Sequence, residues 1–421
     1  MARWCYTALF YLLLPLIVLR LWWRGRRAPA YRQRIGERFG YFSQIVTPHG
    51  IWIHAVSVGE VIAAAPLVRA LRRNHPELTL IVTTMTPTGS ERARALFGAE
   101  IFHVYAPYDV PNCIGRFLQR VRPQMLIVIE TELWPNTIHA CAQRGIPVVL
   151  ANARLSEKSA RGYRKFAAIT APMLRALTKV VAQNTADGDR FVALGLPSQN
   201  LVISGSIKFD IALVAELIAR AQQTRTQWGD GRFIWIAAST HAGEDEIVLQ
   251  AHRRLRARRT NALLILVPRH PERFNDVALL IERNGFNFRR RSHAEPIGDN
   301  VDVVLGDTMG ELLYLYGCAD CAFVGGSLVA RGGHNTLEPA AWGLPIVTGR
   351  SDFNFHEISA LLQRESALVI VNDVEELANE LIALSDSIEL RRQRGAAAKR
   401  VVENNRGALQ KLVQEIERYI R

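Results

Sequence analysis

What most constrains this chain is a repeated alternation, in which short, mostly apolar runs are each followed by a loop and then by a stretch with helical spacing. Runs without an internal polar alternation suit parallel strands covered by helices on both faces. The first series predicts strands at Ile51–Val56, Leu80–Thr84, Met125–Ile129, Val148–Ala151, Val180–Ala182 and Leu201–Ser204. The second predicts Phe233–Ala237, Leu263–Val267, Val303–Leu305, Ala322–Val324, Ile346–Val347 and Leu368–Ile370. The less regular stretch Leu213–Gly231, with its polar run QQTRTQWGDG, places a boundary near 210–230, and a long helical pattern from Glu389 to Ile420 closes the chain. At 421 residues, two cores are expected rather than one. The reading is therefore an α/β protein of two parallel-sheet domains sharing a cleft, with functional residues in the loops after strands.

The amino-terminal end differs. Trp4 to Trp23 reads WCYTALFYLLLPLIVLRLWW, about the length of a bilayer span, and is followed by RGRR at 24–27. Residues 1–40 hold eight arginines and one acid, so +7 of the chain's +13 lies here. A cleaved signal peptide carries its basic cluster before the apolar run, not after it. A buried core helix would have to bring its arginines to water through protein. The expectation is an uncleaved anchor with the body on the cytoplasmic side.

Five scattered cysteines suit a reducing compartment. Cys318 and Cys321 have C-x-x-C spacing but no second Cys/His pair, and read as packing. Asp187-Gly188-Asp189 has the spacing of a cation site but reads as a helix cap. No metal is expected, and no nucleic-acid-binding signature accompanies the charge.

Several loops after strands carry chemistry. Ser57-Val58-Gly59-Glu60 puts a glutamate at a helix start, where it can accept a proton from a substrate hydroxyl. Glu130, in ETELWPN, directly follows an all-apolar strand, where a carboxylate needs a partner. Lys208 follows another, with Asp210 as an ion-pair candidate. In the second half, Pro268-Arg269, Gly325-Gly326-Ser327 and Arg331 to Pro339 look suited to an anion, and Glu338 to ribose hydroxyls. Gly306 to Leu312 reads as a capped helix start, with Asp307 or Thr308 at the N-cap and Glu311 completing a capping box. Ser239 to Glu244 repeats the loop-to-helix pattern.

The segments SVGE (57–60), TTMTPTGSE (83–91), ETELWPN (130–136), GSIKFD (205–210), PRHPER (268–273), GDTMGE (306–311) and GGHNTLEP (332–339) closely resemble the 3-deoxy-D-manno-octulosonic acid (Kdo) transferases of Gram-negative bacteria. The resemblance runs from the anchor to the final helix. It implies the GT-B fold: two Rossmann-like parallel-sheet domains facing a central cleft, preceded by an N-terminal membrane-anchor helix. The implied divisions are an anchor at 1–27, an acceptor domain at 28–215, a CMP-Kdo-binding domain at 216–390 and a helix at 391–421 packing back toward the N-terminal domain.

The implied activity is inverting transfer of Kdo from CMP-Kdo to the lipid A precursor, lipid IVA, twice in succession, at the cytoplasmic face of the inner membrane. By the same resemblance Glu60 is the general base, and Glu130 and Lys208 support the transition state. Pro268, Arg269, Met309, Gly310, Glu311, Asn335, Thr336, Leu337 and Glu338 bind CMP-Kdo. No cofactor is implied. The alternatives are a GT-B enzyme using a UDP-sugar and a non-catalytic nucleotide- or glycan-binding module.

Overall fold

Both apolar series form parallel sheets of seven strands in the computed structural model, which describes residues 1–26, 28–353 and 355–420. Arg27, the last arginine of the basic flank, and Arg421, the end of the expected terminal helix, lie outside the described residues. Contacts divide the chain into two compact units, Met1–Asp210 with Arg406–Arg421, and Ile211–Asn405.

In the first unit the strands are β1 (Ile51–His54), β2 (Leu80–Thr84), β3 (Phe102–Tyr105), β4 (Met125–Ile129), β5 (Val148–Ala153), β6 (Lys179–Ala182) and β7 (Leu201–Ile203). They lie in the order β3-β2-β1-β4-β5-β6-β7, so the direction of winding reverses between β1 and β4. Ile51 pairs with Leu80 on one side and Met125 on the other, which brings the ends of β1 and β4 side by side. Ligands of open α/β sheets bind at that reversal.

The second unit contains β8 (Ile234–Thr240), β9 (Leu263–Pro268), β10 (Phe288–Arg290), β11 (Val303–Leu305), β12 (Cys321–Val324), β13 (Ile346–Thr348) and β14 (Leu368–Ile370). Their order is β10-β11-β9-β8-β12-β13-β14, with the reversal between β8 and β12. Cys318 and Cys321 are both buried in this core.

Four expectations are corrected. The edge strands β3 and β10 were not predicted, because their residues FHVY and FRR are only partly buried and carry no continuous apolar run. The irregular stretch 213–231 contains a helix, Ala215–Gln227, which buries Ala221 and is followed by buried Trp228. Ser239 and Thr240 belong to β8 rather than to a loop.

The terminal helix is two helices, Ile388–Asn404 in the second unit and Ala408–Glu417 in the first. Gly407, at φ 93°, breaks them with a backbone that residues with a Cβ rarely adopt. The last helix buries Leu412, Val413 and Ile416 in the core that also holds Leu67 and Ile127.

Among the described residues one helix, α1 (Ala2–Arg24), is long and apolar enough to cross a membrane. One of its faces lies on the first unit. Phe10, Leu14 and Ile17 pack on Tyr108, Val110 and Cys113, while Tyr6 and Thr7 donate to Asp109 and Asn136. The opposite face leaves Trp4, Leu12, Leu16, Leu19 and Trp23 exposed.

Candidate active site

Glu60 stands in the first turn of α2 (Val58–Asn74), directly beyond the end of β1. Ser57 is the N-cap. Its hydroxyl donates to Glu60 Oε1 at 2.9 Å, and the Val56 amide donates to Oε2 at 2.7 Å. The carboxylate is thus held on two sides while only 8% of the residue is exposed. Burial pushes its pKa up to about 7; the Val56 and Ser57 hydrogen bonds oppose the rise, and the charges of Glu132 and Glu130 add to it. A carboxylate of that basicity can take a proton near neutrality.

Glu130 directly follows β4 with φ 60°, a left-handed conformation uncommon outside glycine, and its amide donates to Ala151 O at 3.0 Å. Lys208 lies in a short turn, Ile207–Phe209, beyond β7. Its ammonium is 3.9 Å from Glu130 Oε1. Asn152, left-handed at the end of β5, accepts from the Ile207 amide at 3.3 Å and so ties this turn to the sheet edge.

Glu132 completes the group. Burial and the Glu130 charge raise its pKa, and a hydrogen bond from Trp134 opposes them. The structure therefore gathers Glu60, Glu130, Glu132 and Lys208 at one edge of the first sheet. Asp210 does not pair with Lys208: its two carboxylate oxygens accept from the amides of Gly407 and Leu409, each at 2.7 Å, and cap the last helix.

In the second unit the expected residues follow β9, β11 and β12, at one edge of the sheet. Pro268 is the buried end of β9, and the guanidinium-bearing Arg269 beside it is exposed. Burial lowers the pKa of His334 to about 4, reinforced by Arg269, His241 and His270. His334 Nε2 lies 2.9 Å from His241 Nε2, with the two rings stacked. Glu338 opens the helix Leu337–Ala341; Asn335 Nδ2 donates to it at 3.1 Å, and burial raises its pKa against that bond and the Arg269 charge. Thr336 and Leu337 are buried, and Thr336 Oγ1 has no partner.

Met309 is 65% exposed, and Gly310 turns the loop at φ 83°. Glu311 accepts from Arg220 at 2.8 Å, from Arg291 at 3.1 Å and from the Thr308 hydroxyl at 2.6 Å. The expected capping box is therefore absent. Glu311 itself is the N-cap of the helix Leu312–Tyr316, and Asp307 accepts from Arg290 and Ser292 instead.

The glycine-rich turn after β12 also differs from expectation. Glu244, fully buried, accepts from the amides of His241, Gly326, Ser327 and Leu328 at 2.7 to 2.9 Å. Those amides are engaged by this internal carboxylate rather than offered to an external anion. A Cβ on Gly325 would meet Ser239 O at 2.8 Å and Glu244 Oε2 at 3.0 Å, which explains the glycine.

The sequence placed Glu244 and His334 within candidate loops but gave them no partner, because the groups they meet are distant in the chain, and it assigned Glu132 no role. Asp187 is not the cap of its helix. Asn184 is, and Asp187 bonds to Asn184 and Arg190 within the first turn. Among the described residues no group of three or more His, Cys, Asp or Glu side chains is placed to hold a metal ion.

Comparisons with known proteins match residues 33–211 to the family described as 3-deoxy-D-manno-octulosonic-acid transferase, and residues 232–401 to glycosyl transferases group 1. The chain is 48% identical to a 3-deoxy-D-manno-octulosonic acid transferase of Haemophilus influenzae, covering 100% of this chain and 99% of that protein. It is 37% identical to one from Bordetella pertussis, covering 85% of each. A glycosyltransferase structure from Rickettsia africae aligns with a TM-score of 0.53 at 14% identity, over 89% of this chain and 98% of that one. That likeness concerns the fold, the GT-B pairing of two Rossmann-like domains.

Proposed function

The chain belongs to the 3-deoxy-D-manno-octulosonic acid (Kdo) transferase family of glycosyltransferases, and from that membership we propose that it transfers Kdo from CMP-Kdo to the lipid A precursor, lipid IVA, twice in succession. The observation that carries the mechanism is Glu60, a buried carboxylate with a pKa near 7 at the reversal point of the first sheet.

In this reading Glu60 takes the proton of an acceptor hydroxyl. The freed oxygen bonds to the anomeric carbon of Kdo as the bond from that carbon to the CMP phosphate breaks, which inverts the configuration. Lys208, oriented by Glu130, stabilises the charge that develops in the transition state. Pro268, Arg269, Met309, Gly310, Glu311, Asn335, Thr336, Leu337 and Glu338 hold the donor. Arg269 supplies an exposed cation for phosphate or carboxylate, while buried Leu337 contributes through its backbone. No metal takes part.

The exposed apolar face of α1 and the arginines after it anchor the protein at the cytoplasmic face of the inner membrane, where the acceptor's phosphates also lie. The test is incubation of the purified protein with CMP-Kdo and a tetraacyl lipid A precursor, followed by mass analysis of the lipid. Two additions are expected. No addition would overturn the activity, and a single addition would overturn the succession.

A further inference from the structure

The carboxyl end of α1 is closed by a reversal of the chain. The amides of Gly25 and Arg26 donate to Leu21 O and Trp23 O, each at 3.0 Å, and the Ala28 amide donates to Arg24 O at 3.1 Å. The short helix Pro29–Arg32 then folds back on α1, so that Arg32 Nε donates to Trp22 O at 3.1 Å. Gly25 permits this close return, since a Cβ there would collide with the Arg32 side chain.

At the reversal lies a cleft of about 630 Å³, lined by Arg20, Trp23, Arg24, Arg26, Ala28 and Tyr31. The Arg24 guanidinium stands over the Tyr31 ring, 4.6 Å from its centroid, and that of Arg26 over the Trp22 ring at 5.1 Å. Ring faces hold the cations in place and leave them their charge. The first acid in the chain is Glu37, whose carboxylate is taken by Arg34 and by the Tyr105 amide. Among the described residues no acidic side chain pairs with Arg20, Arg24 or Arg26.

The cleft continues an apolar surface. Spacing by four sets Leu12, Leu16, Arg20 and Arg24 along one ridge of α1. Leu9, Leu12, Leu16 and Leu19 are 54% to 73% exposed. From Leu9 to Leu19 the helix rises about 15 Å, half of a hydrocarbon core about 30 Å thick. Acyl chains of one leaflet lying on these leucines would end where the arginines begin, beside the interfacial rings of Trp23 and Tyr31.

We propose that this cleft is a binding site for the phosphate of an anionic phospholipid: Arg20, Arg24 and Arg26 hold the phosphate, and the acyl chains lie on the leucine ridge. Unpaired guanidiniums favour a headgroup of net negative charge over one that carries its own ammonium. The ridge favours a lipid over free phosphate. The inference rests on the reading of α1 as a membrane anchor and is independent of the transfer reaction.

The test is native mass spectrometry of the full-length protein in a nonionic detergent, titrated with dioleoyl phosphatidylglycerol. A saturable adduct is expected. The triple change Arg20→Gln, Arg24→Gln and Arg26→Gln should weaken it by about fivefold for each cation removed, roughly a hundredfold in all. Lys at the same positions keeps the charge but loses the guanidinium fork, and should still weaken binding severalfold. Leu12→Ser with Leu16→Ser should weaken it as well, with the arginines intact. Arg92→Gln, Arg254→Gln and Arg258→Gln, at exposed arginines elsewhere, remove the same charge and should leave the adduct unchanged.

Full-strength binding in the Gln, Lys or Ser variants, an equal loss in the charge-matched control, an equal adduct with dioleoyl phosphatidylcholine, or displacement by inorganic phosphate would each overturn the proposal. So would displacement by a tetraacyl lipid A precursor at concentrations below those at which phosphatidylglycerol binds, which would make the cleft a contact for the acceptor. Vesicle flotation separates the site from the anchor. Wild-type protein is expected to float better with vesicles containing phosphatidylglycerol than with phosphatidylcholine alone. Equal flotation with both would remove the phosphate site and leave the anchor; flotation with neither would remove both.

Discussion

The Lys208 ammonium lies 3.9 Å from a carboxylate oxygen of Glu130, with the two side chains 31% and 29% exposed. A pair this open to water contributes at most about 1 kcal/mol to folding. Its geometry is better explained by the work of the site than by stability. Lys208→Ala is expected to leave Tm nearly unchanged while lowering kcat by about a hundredfold, the scale found when one preorganised stabilising donor is removed. Lys208→Arg, which retains the charge, should recover part of that loss. Thermal unfolding and steady-state transfer, run side by side, check both.

Glu60 connects activity and stability through one proton. Only its ionised form can act as base, so transfer should fall as pH drops through about 7. Glu60→Gln should reduce kcat by roughly 10²–10⁴, the usual contribution of a general base.

Stability changes in the opposite sense. A carboxyl whose folded pKa, about 7, lies above its ordinary 4.5 holds its proton more tightly in the folded chain. Its ionisation then costs up to about 3 kcal/mol above pH 7, and the cost fades as pH falls toward 4.5. Glu60→Gln should therefore be more stable than wild type at pH 8 and lose that advantage by pH 4.5, as read by denaturant unfolding at the two values.

Glu244 satisfies four backbone amides, three of them in the turn after β12. Glu244→Ala strands those donors in a buried site, at about 1–3 kcal/mol for each one left unpaired. The expected outcome is a marked fall in Tm with loss of CMP-Kdo binding by calorimetry. Wild-type binding in this variant would show that the turn does not shape the donor site.

Asp210 caps the last helix through Gly407 and Leu409. Asp210→Ala should cost about 1–2 kcal/mol, as the loss of an N-cap does. Limited proteolysis should then cut near 405–407 before elsewhere.

The sequence made much of the architecture readable, and the exceptions share a cause. β1 and β4 were visible because both of their faces are covered, so their residues are apolar except for buried His54. β3 and β10 lie at sheet edges, where partial exposure admits His and Arg and dilutes the signal.

In the site, Glu60 was legible from a strand followed by a serine three residues before a glutamate. Its basicity was not, since that depends on burial and on Glu132, a residue 72 positions away. Asp210 was misassigned for the same reason. Lys208 is near it in sequence, but the amides it caps lie almost 200 residues on.

The return of the chain at Arg406 has a consequence for biosynthesis. Residues 211–405 form an insertion between the body of the first unit and its closing helix. A ribosome therefore completes the whole second unit before it delivers Leu412, Val413 and Ile416, which fill the core beside α2. Until then the nascent first unit has an open apolar groove, and premature termination near residue 405 should leave a chain that chaperones retain or proteases remove.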